Sequence, residues 1–379
     1  MTVTRKRTFS TLLLLTTLVL ALAACGGQNS DTAANADKGG TGSSNSNTEK
    51  PDDTENADAG ENTDNETNAS ADEASEYPIT IKHALGEAVI ESKPERIATI
   101  QWANHDVALA LGVVPVGFSA ANYGVQDDSG LLPWTAAKLE EMGVTDPNIY
   151  QDTDGLDFEA IADSNPDVIL AAYSGITQED YDILSEIAPV VAYQSKPWVI
   201  TWREQVLYNA MGMGMEEEGK QLIADTEQLI QDKAAEYPEM AGKTIVWANF
   251  SANDLSKFHV YTPGDPRGEF LVELGMEYPA SVTDLIEDPN SFSLQVSTEN
   301  ADVLNDADLL ISYGDESTYE AVKADPVLGK IPAIERGSVV FIGNGTPLAA
   351  AGNPNPLSIA YTIDDYLALI GDAISKIDG

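Results

Sequence analysis

The chain has 379 residues, of which 62 are Asp or Glu and 20 are Lys or Arg, and its formal net charge is −42. Because nucleic acids are bound by clustered basic side chains, this charge argues against nucleic acid as a partner. Cys25 is the single cysteine, so the sequence excludes an internal disulfide and folding depends on a hydrophobic core.

The first 24 residues have the pattern of an export signal. Arg5, Lys6 and Arg7 precede an apolar segment of about 13 residues, which is shorter than the roughly 20 residues of a membrane-spanning helix. The following Leu22-Ala23-Ala24-Cys25 resembles the bacterial lipobox, in which the cysteine is acylated and becomes the new N-terminus. We predict a signal peptide over 1–24 and a lipid anchor on Cys25 that holds the protein on the extracytoplasmic face of the cell membrane. The alternative is an ordinary signal peptide with an unused thiol.

Residues 25–76 have the composition of a tether. From residue 26 they hold 13 Asp or Glu against two lysines, with almost no large apolar side chains. Such a stretch cannot bury enough apolar surface to offset the ordering of its backbone, so we predict a disordered acidic spacer between the anchor and a globular body. The body, from residue 77 onward, is long enough for two lobes with separate cores.

The first part of the body, 77–215, alternates short apolar runs with amphipathic stretches. It predicts a hairpin with its turn near Leu85-Gly86, buried strands in "ERIATI" and "VVPVGFS", and a helix from Asn104 to Gly112. A second helix ends at Gly143, and "LDFEAIADSNPDVILAAY" and "TQEDYDILSEIAPVVAY" each predict a helix followed by a strand. This order predicts an α/β lobe with a parallel sheet covered by helices.

The pattern changes over 216–237, where "EEEGKQLIADTEQLIQDKAAEY" predicts one long helix without a strand. The alternation then restarts over 238–379 with "KTIVWANF", "DPRGEFLVELG", "TENADVLNDADLLISYG" and "SVVFIG", and ends in a helix from about Pro356. The sequence therefore predicts two Rossmann-like α/β lobes joined by one long bridging helix. A single continuous domain is the alternative.

Four segments of the body carry a further signal: "KPERIATIQWANHDVALALGVVPVGFS", "GLDFEAIADSNPDVILAAYSG", "VYTPGDPRGEFLVELG" and "DPVLGKIPAIERGSVVFIG". In their order and spacing they resemble the ferric-siderophore and cobalamin substrate-binding proteins of ABC importers. The resemblance implies a ligand cleft between the two lobes, modest closure around the ligand, and delivery to a membrane permease. Among the members, those that handle iron-loaded siderophores, including catecholate ones, are the most similar.

Glu159 and Glu299 occupy equivalent positions, each at the start of a predicted helix that precedes a strand. A carboxylate at a helix N-terminus is favourable by roughly 0.3–1 kcal/mol in any protein, which could explain both residues without a function. The resemblance implies instead that one surface glutamate in each lobe docks onto arginines of the permease dimer.

The predicted ligand-contact residues are arginines and aromatics near the cleft. Arg203 and Arg267 could donate to a ferric complex that carries negative charge, and aromatic faces could pack against its rings and linkers. Core packing is the alternative for the aromatics, and an ion pair on a helix surface is the alternative for Arg203. The aromatic candidates are Trp102, Tyr173, Trp202, Trp247 and Tyr261, with Trp198 also near a predicted cleft edge.

Weaker candidates are Lys257 and the loops 122–124 and 344–346. The three histidines, His83, His105 and His259, lie in different predicted elements, so we expect no metal bound directly by protein side chains and no cofactor. The iron would arrive inside an organic chelator, as a ferric siderophore.

The sequence contains no G-x-S-x-G, H-E-x-x-H or Walker motif, and we predict a binding protein rather than an enzyme. A receptor of the same fold for cobalamin or haem stays open as an alternative, as does an adhesion or sensor protein.

Overall fold

The computed structural model describes residues 76–152, 154–289 and 291–377, all within the compact unit Ser70–Gly379. The predicted signal peptide, Cys25 and nearly all of the predicted tether lie outside the described residues. Within the described ranges, no helix is both long enough and apolar enough to cross a membrane.

The first lobe begins with an antiparallel hairpin and continues into a parallel sheet. Strands β1 (Ile79–His83) and β2 (Gly86–Ile90) pair across a turn at Ala84 and Leu85, as predicted. The sheet contains β3 (Ile97–Thr99), β4 (Gly117–Ser119), β5 (Ile149–Tyr150), β6 (Val168–Ala171) and β7 (Val190–Ala192), in the order β5-β4-β3-β6-β7. All of its pairs are parallel, which confirms the prediction.

Helices cover the sheet of this lobe, so its strands are largely buried and mostly apolar. The helices are α1 (Asn104–Ala110), α2 (Pro133–Glu141), α3 (Phe158–Asp163), α4 (Gln178–Ser185) and α5 (Trp202–Gly212). No bounds were predicted for α5 from the sequence, although one alternative placed Arg203 on a helix surface. This helix buries Gln205 and Asn209 together with Val206 and Ala210 and therefore lacks a clean apolar stripe.

The predicted bridge is the 19-residue helix α6 (Glu216–Ala234), which at 1.5 Å per residue spans about 28 Å. A short 3-10 turn, Pro238–Met240, follows it. Helix α6 packs against α5 of the first lobe, and it connects that lobe to the second.

The second lobe has a five-stranded sheet in the order β10-β9-β8-β11-β12. Its strands are β8 (Ile245–Ser251), β9 (Asp254–Tyr261), β10 (Ser293–Ser297), β11 (Leu309–Tyr313) and β12 (Val339–Ile342). In both lobes the first strand of the sheet is central, the next two lie on one side of it and the last two on the other. The two sheets therefore share one strand order.

The prediction of a continued parallel alternation was wrong for one strand of this lobe. Strand β9 is antiparallel to both of its neighbours, β8 and β10. Only Ala252 and Asn253 separate β8 from β9, and two residues can close a hairpin but cannot make the crossover that a parallel pair needs.

The helices of the second lobe are α7 (Pro266–Glu273), α8 (Ala280–Thr283), α9 (Glu316–Ala324), α10 (Pro332–Arg336), α11 (Pro347–Ala350) and α12 (Pro356–Ile374). The helix predicted before β11 is a 3-10 run, Thr298–Leu304, interrupted at Asn300 by non-helical backbone angles. A second 3-10 turn, Leu328–Lys330, precedes α10.

One hydrophobic cluster is shared by both lobes. It joins Val107 of α1 and Val206 of α5 to Ile311 of the second sheet through Ile230 of α6 and Ile363 of α12. Close-packed interiors deform little. Because this cluster contains residues of both lobes, the lobes should move little relative to each other.

A buried carboxylate adds a polar connection between the lobes. Asp106 in α1 is fully buried and accepts hydrogen bonds from Trp134 Nε1 at 2.8 Å, Thr135 Oγ1 at 2.7 Å and Asn355 Nδ2 at 3.0 Å. Asn355 is the N-cap of α12. The start of α12 is therefore held by the first lobe.

Candidate functional site

Two adjoining cavities lie between the lobes and form one cleft. Their volumes are about 300 and 350 Å³, and Trp102, Arg267 and Asn353 line both. The first lobe lines this cleft with Gln101, Trp102, Ser119, Ala120, Asn122, Tyr123, Asp152, Tyr173 and Trp198. The second lobe lines it with Asn249, Tyr261, Arg267, Phe292, Tyr313, Asn344 and Asn353.

The first-lobe wall is built where β3 and β6 end. These strands are neighbours at the point where the strand order reverses, the usual ligand position in open α/β sheets. After β3 the backbone φ angle is positive at two residues, 63° at Gln101 and 57° at Ala103. This conformation is unfavourable for any residue other than glycine, so tertiary contacts must stabilise it. Trp102, between them, lines the cleft.

Asn104 holds the two strand ends together. Its Nδ2 donates to the carbonyl oxygens of Ile100, at 2.8 Å, and Tyr173, at 3.0 Å, and its Oδ1 accepts from the Tyr173 N–H at 3.1 Å. This fully buried amide thus fixes the backbone from which both Trp102 and Tyr173 project.

The second-lobe wall carries a preorganised guanidinium. Arg267 donates from Nε to Asp265 Oδ1, at 2.6 Å, and from Nη2 to Asp265 Oδ2, at 2.7 Å, while its Cζ lies 3.8 Å from the centroid of the Tyr261 ring. Burial alone would lower the pKa of Arg267, but the hydrogen bonds and the charge of Asp265 outweigh burial and raise it well above its usual value. Asp265 also caps α7 by accepting from the Arg267 N–H.

The buried phenols of the cleft stay protonated. Burial raises the pKa of Tyr313 to about 12 and also raises the pKa of Tyr173. Tyr313 lies 3.4 Å from Arg267 Nη1, and the Tyr173 hydroxyl donates to Asn353 Oδ1 at 3.0 Å, which bridges the two lobes at the cleft. Both phenols are therefore available as hydrogen-bond donors and acceptors rather than as anions.

A carboxylate, Asp152, lines the first-lobe side of the cleft in the loop after β5. Burial raises its pKa, against the lowering effect of a hydrogen bond from Ser119 Oγ. The Ser119 oxygen in turn accepts from the backbone N–H of Gln101 at 2.7 Å. Asp152 and Ser119 were not singled out from the sequence, because a lone acid in a loop has no distinguishing pattern in so acidic a chain.

Four of the predicted ligand residues come together in the cleft: Trp102, Tyr173, Tyr261 and Arg267. Trp198, near a predicted edge, lies there as well, with its ring 5.2 Å from that of Tyr173. Trp198 from the first lobe and Phe292 from the second are both partly exposed and both line the same cavity.

The structure does not bring Trp202 and Arg203 to the cleft, which corrects the prediction of their position. Arg203 forms ion pairs with Glu227 of α6, at 2.5 Å, and with Glu273 of α7. The Trp202 indole donates to Glu273 at 3.0 Å and lies 4.4 Å from the Arg203 Cζ. These contacts join the first lobe, the bridge and the second lobe, and they pair Nε, Nη1 and Nη2 of Arg203 with carboxylates away from the cleft.

Trp247 also lies off the cleft surface, contrary to expectation. It is fully buried in β8, and its ring centroid lies 6.4 Å from that of Tyr261 and 5.5 Å from that of Tyr313. Trp247 is therefore a core residue, which is the alternative that the sequence left open, and it packs behind the cleft residues Tyr261 and Tyr313.

Of the weaker candidates, Asn122, Tyr123 and Asn344 line the cleft, whereas Lys257 is exposed on β9 and does not. The three histidines lie apart, in β1, α1 and β9, and burial lowers the pKa of both His83 and His105. In the part of the chain that the structure describes, no group of three or more His, Cys, Asp or Glu side chains could hold a metal ion.

Glu159 and Glu299 occupy matching places in the two lobes. Each is exposed in the first turn of the helical segment that precedes the fourth strand of its sheet, β6 or β11. Neither lies among the residues that line the cleft. The equivalence noted in the sequence is therefore a topological one as well.

Comparison with known proteins agrees with this architecture. The family model described as "Periplasmic binding protein" matches residues 97–345. The solved structure of PiaA from Streptococcus pneumoniae TIGR4 in complex with ferrichrome has a TM-score of 0.76 and 51% sequence identity, and the match covers 79% of this chain and 99% of that one.

More distant relatives match by sequence. The ferric enterobactin-binding periplasmic protein FepB of Escherichia coli is 27% identical over 299 residues, which are 73% of this chain and 87% of FepB. The protein named "Probable siderophore-binding lipoprotein YfiY" of Bacillus subtilis is 27% identical over 68% of this chain and 74% of its own length. With the family model matched over most of the two-lobed body, the chain belongs to the periplasmic binding protein family.

Proposed function

We propose that this chain is a membrane-anchored receptor that captures a ferric siderophore of the hydroxamate class and delivers it to the permease of an ABC importer. The relatives named above support the siderophore. Their family, whose members bind ligands for transport, supports a receptor rather than an enzyme. We propose Trp102, Tyr173, Tyr261 and Arg267 as the ligand-binding residues.

The charge of the cleft is the observation that carries the choice of siderophore class. Among the described residues that line it, only Arg267 and Asp152 are charged, and Arg267 is already paired with Asp265. A ferric tris-catecholate carries three negative charges and would meet no uncompensated cation there, whereas a ferric tris-hydroxamate has a neutral iron centre. Electrostatic complementarity thus favours the hydroxamate.

The similarity to PiaA points the same way, because ferrichrome is a tris-hydroxamate and the relative solved with it is 51% identical to this chain. The aromatic walls suit such a ligand, since Trp102, Tyr173 and Tyr261 offer ring faces to its methylene linkers while phenol and amide groups can reach the hydroxamate oxygens. A receptor for cobalamin or haem is the competing function, and the test below includes both.

Delivery to the permease and anchoring are further parts of the proposal. The exposed Glu159 and Glu299, one in each lobe, would dock onto the permease dimer. The acylated Cys25 would hold the protein on the extracytoplasmic side of the membrane, and residues 25–76 would act as the tether to a first lobe over 77–215, a bridge over 216–237 and a second lobe over 238–379. Cys25→Ala should release the protein from the membrane fraction, and its retention there would contradict the anchor.

Tryptophan fluorescence of the purified full-length protein tests the ligand class, because Trp102 and Trp198 line the cleft. We expect saturable quenching by ferrichrome at submicromolar concentrations and much weaker quenching by ferric enterobactin, ferric citrate, cobalamin and haem. Trp102→Phe should reduce the quenching amplitude, while Trp202→Phe, whose indole donates to Glu273 and does not line the cleft, should leave most of it. Tight binding of cobalamin or haem without ferrichrome binding would overturn the proposal.

A further inference from the structure

The cleft contains one acidic group that the proposed binding of iron hydroxamates does not use. Asp152 lines the cavity on the first-lobe side and is half-buried. Ser119 Oγ donates to its Oδ2, and this hydroxyl has its own oxygen occupied by the Gln101 N–H. The Ser119 proton is therefore directed at the carboxylate, which fixes Asp152 as an acceptor on the cleft wall.

No cation compensates this carboxylate. Among the described residues, no Lys, Arg or His side chain lies within 4.0 Å of Asp152, and Arg267, which lines the same cavity, is held by Asp265. Two other ionisable groups influence the pKa of Asp152, namely Asp157, which is negatively charged, and His105. Burial lowers the pKa of His105 and so favours its neutral form. Among the described residues that line the cleft, Asp152 is thus the one charged side chain without a counter-charge.

A ligand that fills the cavity would displace the water that solvates Asp152. Such a carboxylate is costly to bury unless the ligand replaces that water with donors, and a positively charged donor is the best replacement. The neutral iron centre of a hydroxamate cannot serve in this way. An N–H group on the organic backbone of the siderophore can, and it does so best when it carries a positive charge.

We propose that Asp152 is a specificity-determining residue that accepts hydrogen bonds from an amine or other N–H group of the siderophore, so that the cleft prefers ferric hydroxamates with a protonated amine to otherwise identical neutral ones. This inference rests on the proposed hydroxamate function. Asp152 would distinguish between members of the hydroxamate class, and it lies on the first-lobe side of the cleft, opposite the lobe that carries Arg267.

A pair of ligands with the same iron centre tests the inference. Ferrioxamine B is a linear ferric tris-hydroxamate with a pendant ammonium group, and its N-acetyl derivative is neutral. The full-length protein should bind ferrioxamine B about 10-fold more tightly than the N-acetyl form, about 1.4 kcal/mol. In Asp152→Asn the ratio should fall below about threefold, because the amide keeps the size but not the charge.

Asp154→Asn is the matched control, since this acid lies two residues away in the same loop and is exposed. It should leave the ratio unchanged. The thermal midpoints of both variants, measured without ligand, establish that each is folded, and Asp152→Ser provides a second substitution that also removes the charge. The ratio should persist at high salt, because a partly buried pair is screened less than a surface pair.

Ferrichrome separates the two proposals. If ferrichrome binds but the full-length protein does not distinguish ferrioxamine B from its N-acetyl form, or if Asp152→Asn leaves the ratio intact, the role of Asp152 is wrong while the receptor function stands. If no ferric hydroxamate binds, both proposals are wrong. A collapse of the ratio in Asp152→Asn alone supports the assignment.

Discussion

The guanidinium of Arg267 lies over the ring of Tyr261, with 3.8 Å between Cζ and the ring centroid. Asp265, whose side chain is almost fully buried, occupies Nε and Nη2, and Nη1 is left beside the Tyr313 hydroxyl. The cation is thus fixed in place before any ligand arrives, which lowers the entropic cost of binding.

Arg267→Lys should weaken ferrichrome binding by about 10-fold or more. Lysine keeps the charge, but it cannot donate to both oxygens of Asp265 and also lie over the Tyr261 ring. Fluorescence titration measures the effect. Lys257→Ala is the control, because this exposed lysine of the same lobe lies outside the cleft and should not change affinity. If Arg267→Lys bound ferrichrome as tightly as the unsubstituted protein, that result would contradict a binding role for this arginine.

Glu159→Ala and Glu299→Ala should separate transport from binding. Both glutamates are exposed and away from the cleft, so each variant should bind ferrichrome normally and yet support less siderophore uptake by whole cells. Arg267→Ala should do the reverse and lose affinity first. Glu140→Ala, an exposed acid on α2, is the matched control and should affect neither measurement. Loss of affinity in the Glu159 and Glu299 variants would argue against docking.

Arg203→Met should destabilise the fold by about 1–2 kcal/mol without changing ligand affinity more than about twofold. The substitution leaves Glu273, whose side chain is 14% exposed, without its cation and removes the connection to Glu227 on α6. Urea unfolding gives the free energy. Lys220→Met, which removes an exposed i,i+3 and i,i+4 partner on α6, should have no measurable effect. A large loss of affinity in Arg203→Met would restore Arg203 as a ligand residue.

The stability of the protein should depend on pH through Glu269. Burial raises the pKa of this carboxyl to about 7, with Arg203 opposing the shift and the negative charges of Glu273 and Glu204 adding to it. The unfolded chain loses this proton near pH 4.5 and the folded protein near 7, so stability falls as pH rises through that window. Between pH 4.5 and 8 we expect a loss of about 3 kcal/mol that Glu269→Gln removes. Urea unfolding at several pH values tests it, and an unchanged pH profile in the variant would refute it.

Asp106→Ala should cost about 3 kcal/mol of unfolding free energy, because it leaves the buried donors of Trp134, Thr135 and Asn355 without an acceptor. Asn355→Ala should cost about 1–2 kcal/mol through the loss of the α12 cap. Since the two residues share a hydrogen bond, the double variant should lose less than the two single variants added together. Strict additivity, measured by urea unfolding, would show that the first lobe does not hold the start of α12.

The first lobe was largely predictable because its strands are buried on both faces and therefore stand out as apolar runs. The α5 helix was not, since it buries Gln205 and Asn209 against the backbone and side chains of the first lobe. The reversal of β9 follows from a two-residue connection after β8, a feature that local periodicity does not report.

The cleft was predictable only in part, for a similar reason. Trp102 and Tyr173 follow strands, and strand ends of parallel sheets meet at one edge, so their positions could be inferred. Arg203 looked equally suitable, but its partners Glu227 and Glu273 are 24 and 70 residues away in the chain. Asn353 and Asp152 lie in loops with no motif, and only the folded chain brings them to the cleft.

The position of α12 has a consequence for biosynthesis. Its 19 residues complete the cluster that contains Val107, Val206 and Ile230, yet they are the last helix of the described chain to leave the ribosome. Until then the apolar faces of α1 and α6 that pack against α12 lack their cover, so a nascent chain cannot reach its final packing. For a protein that we propose is exported, this delay would keep the polypeptide loose enough to be threaded through a translocation channel before it folds on the far side.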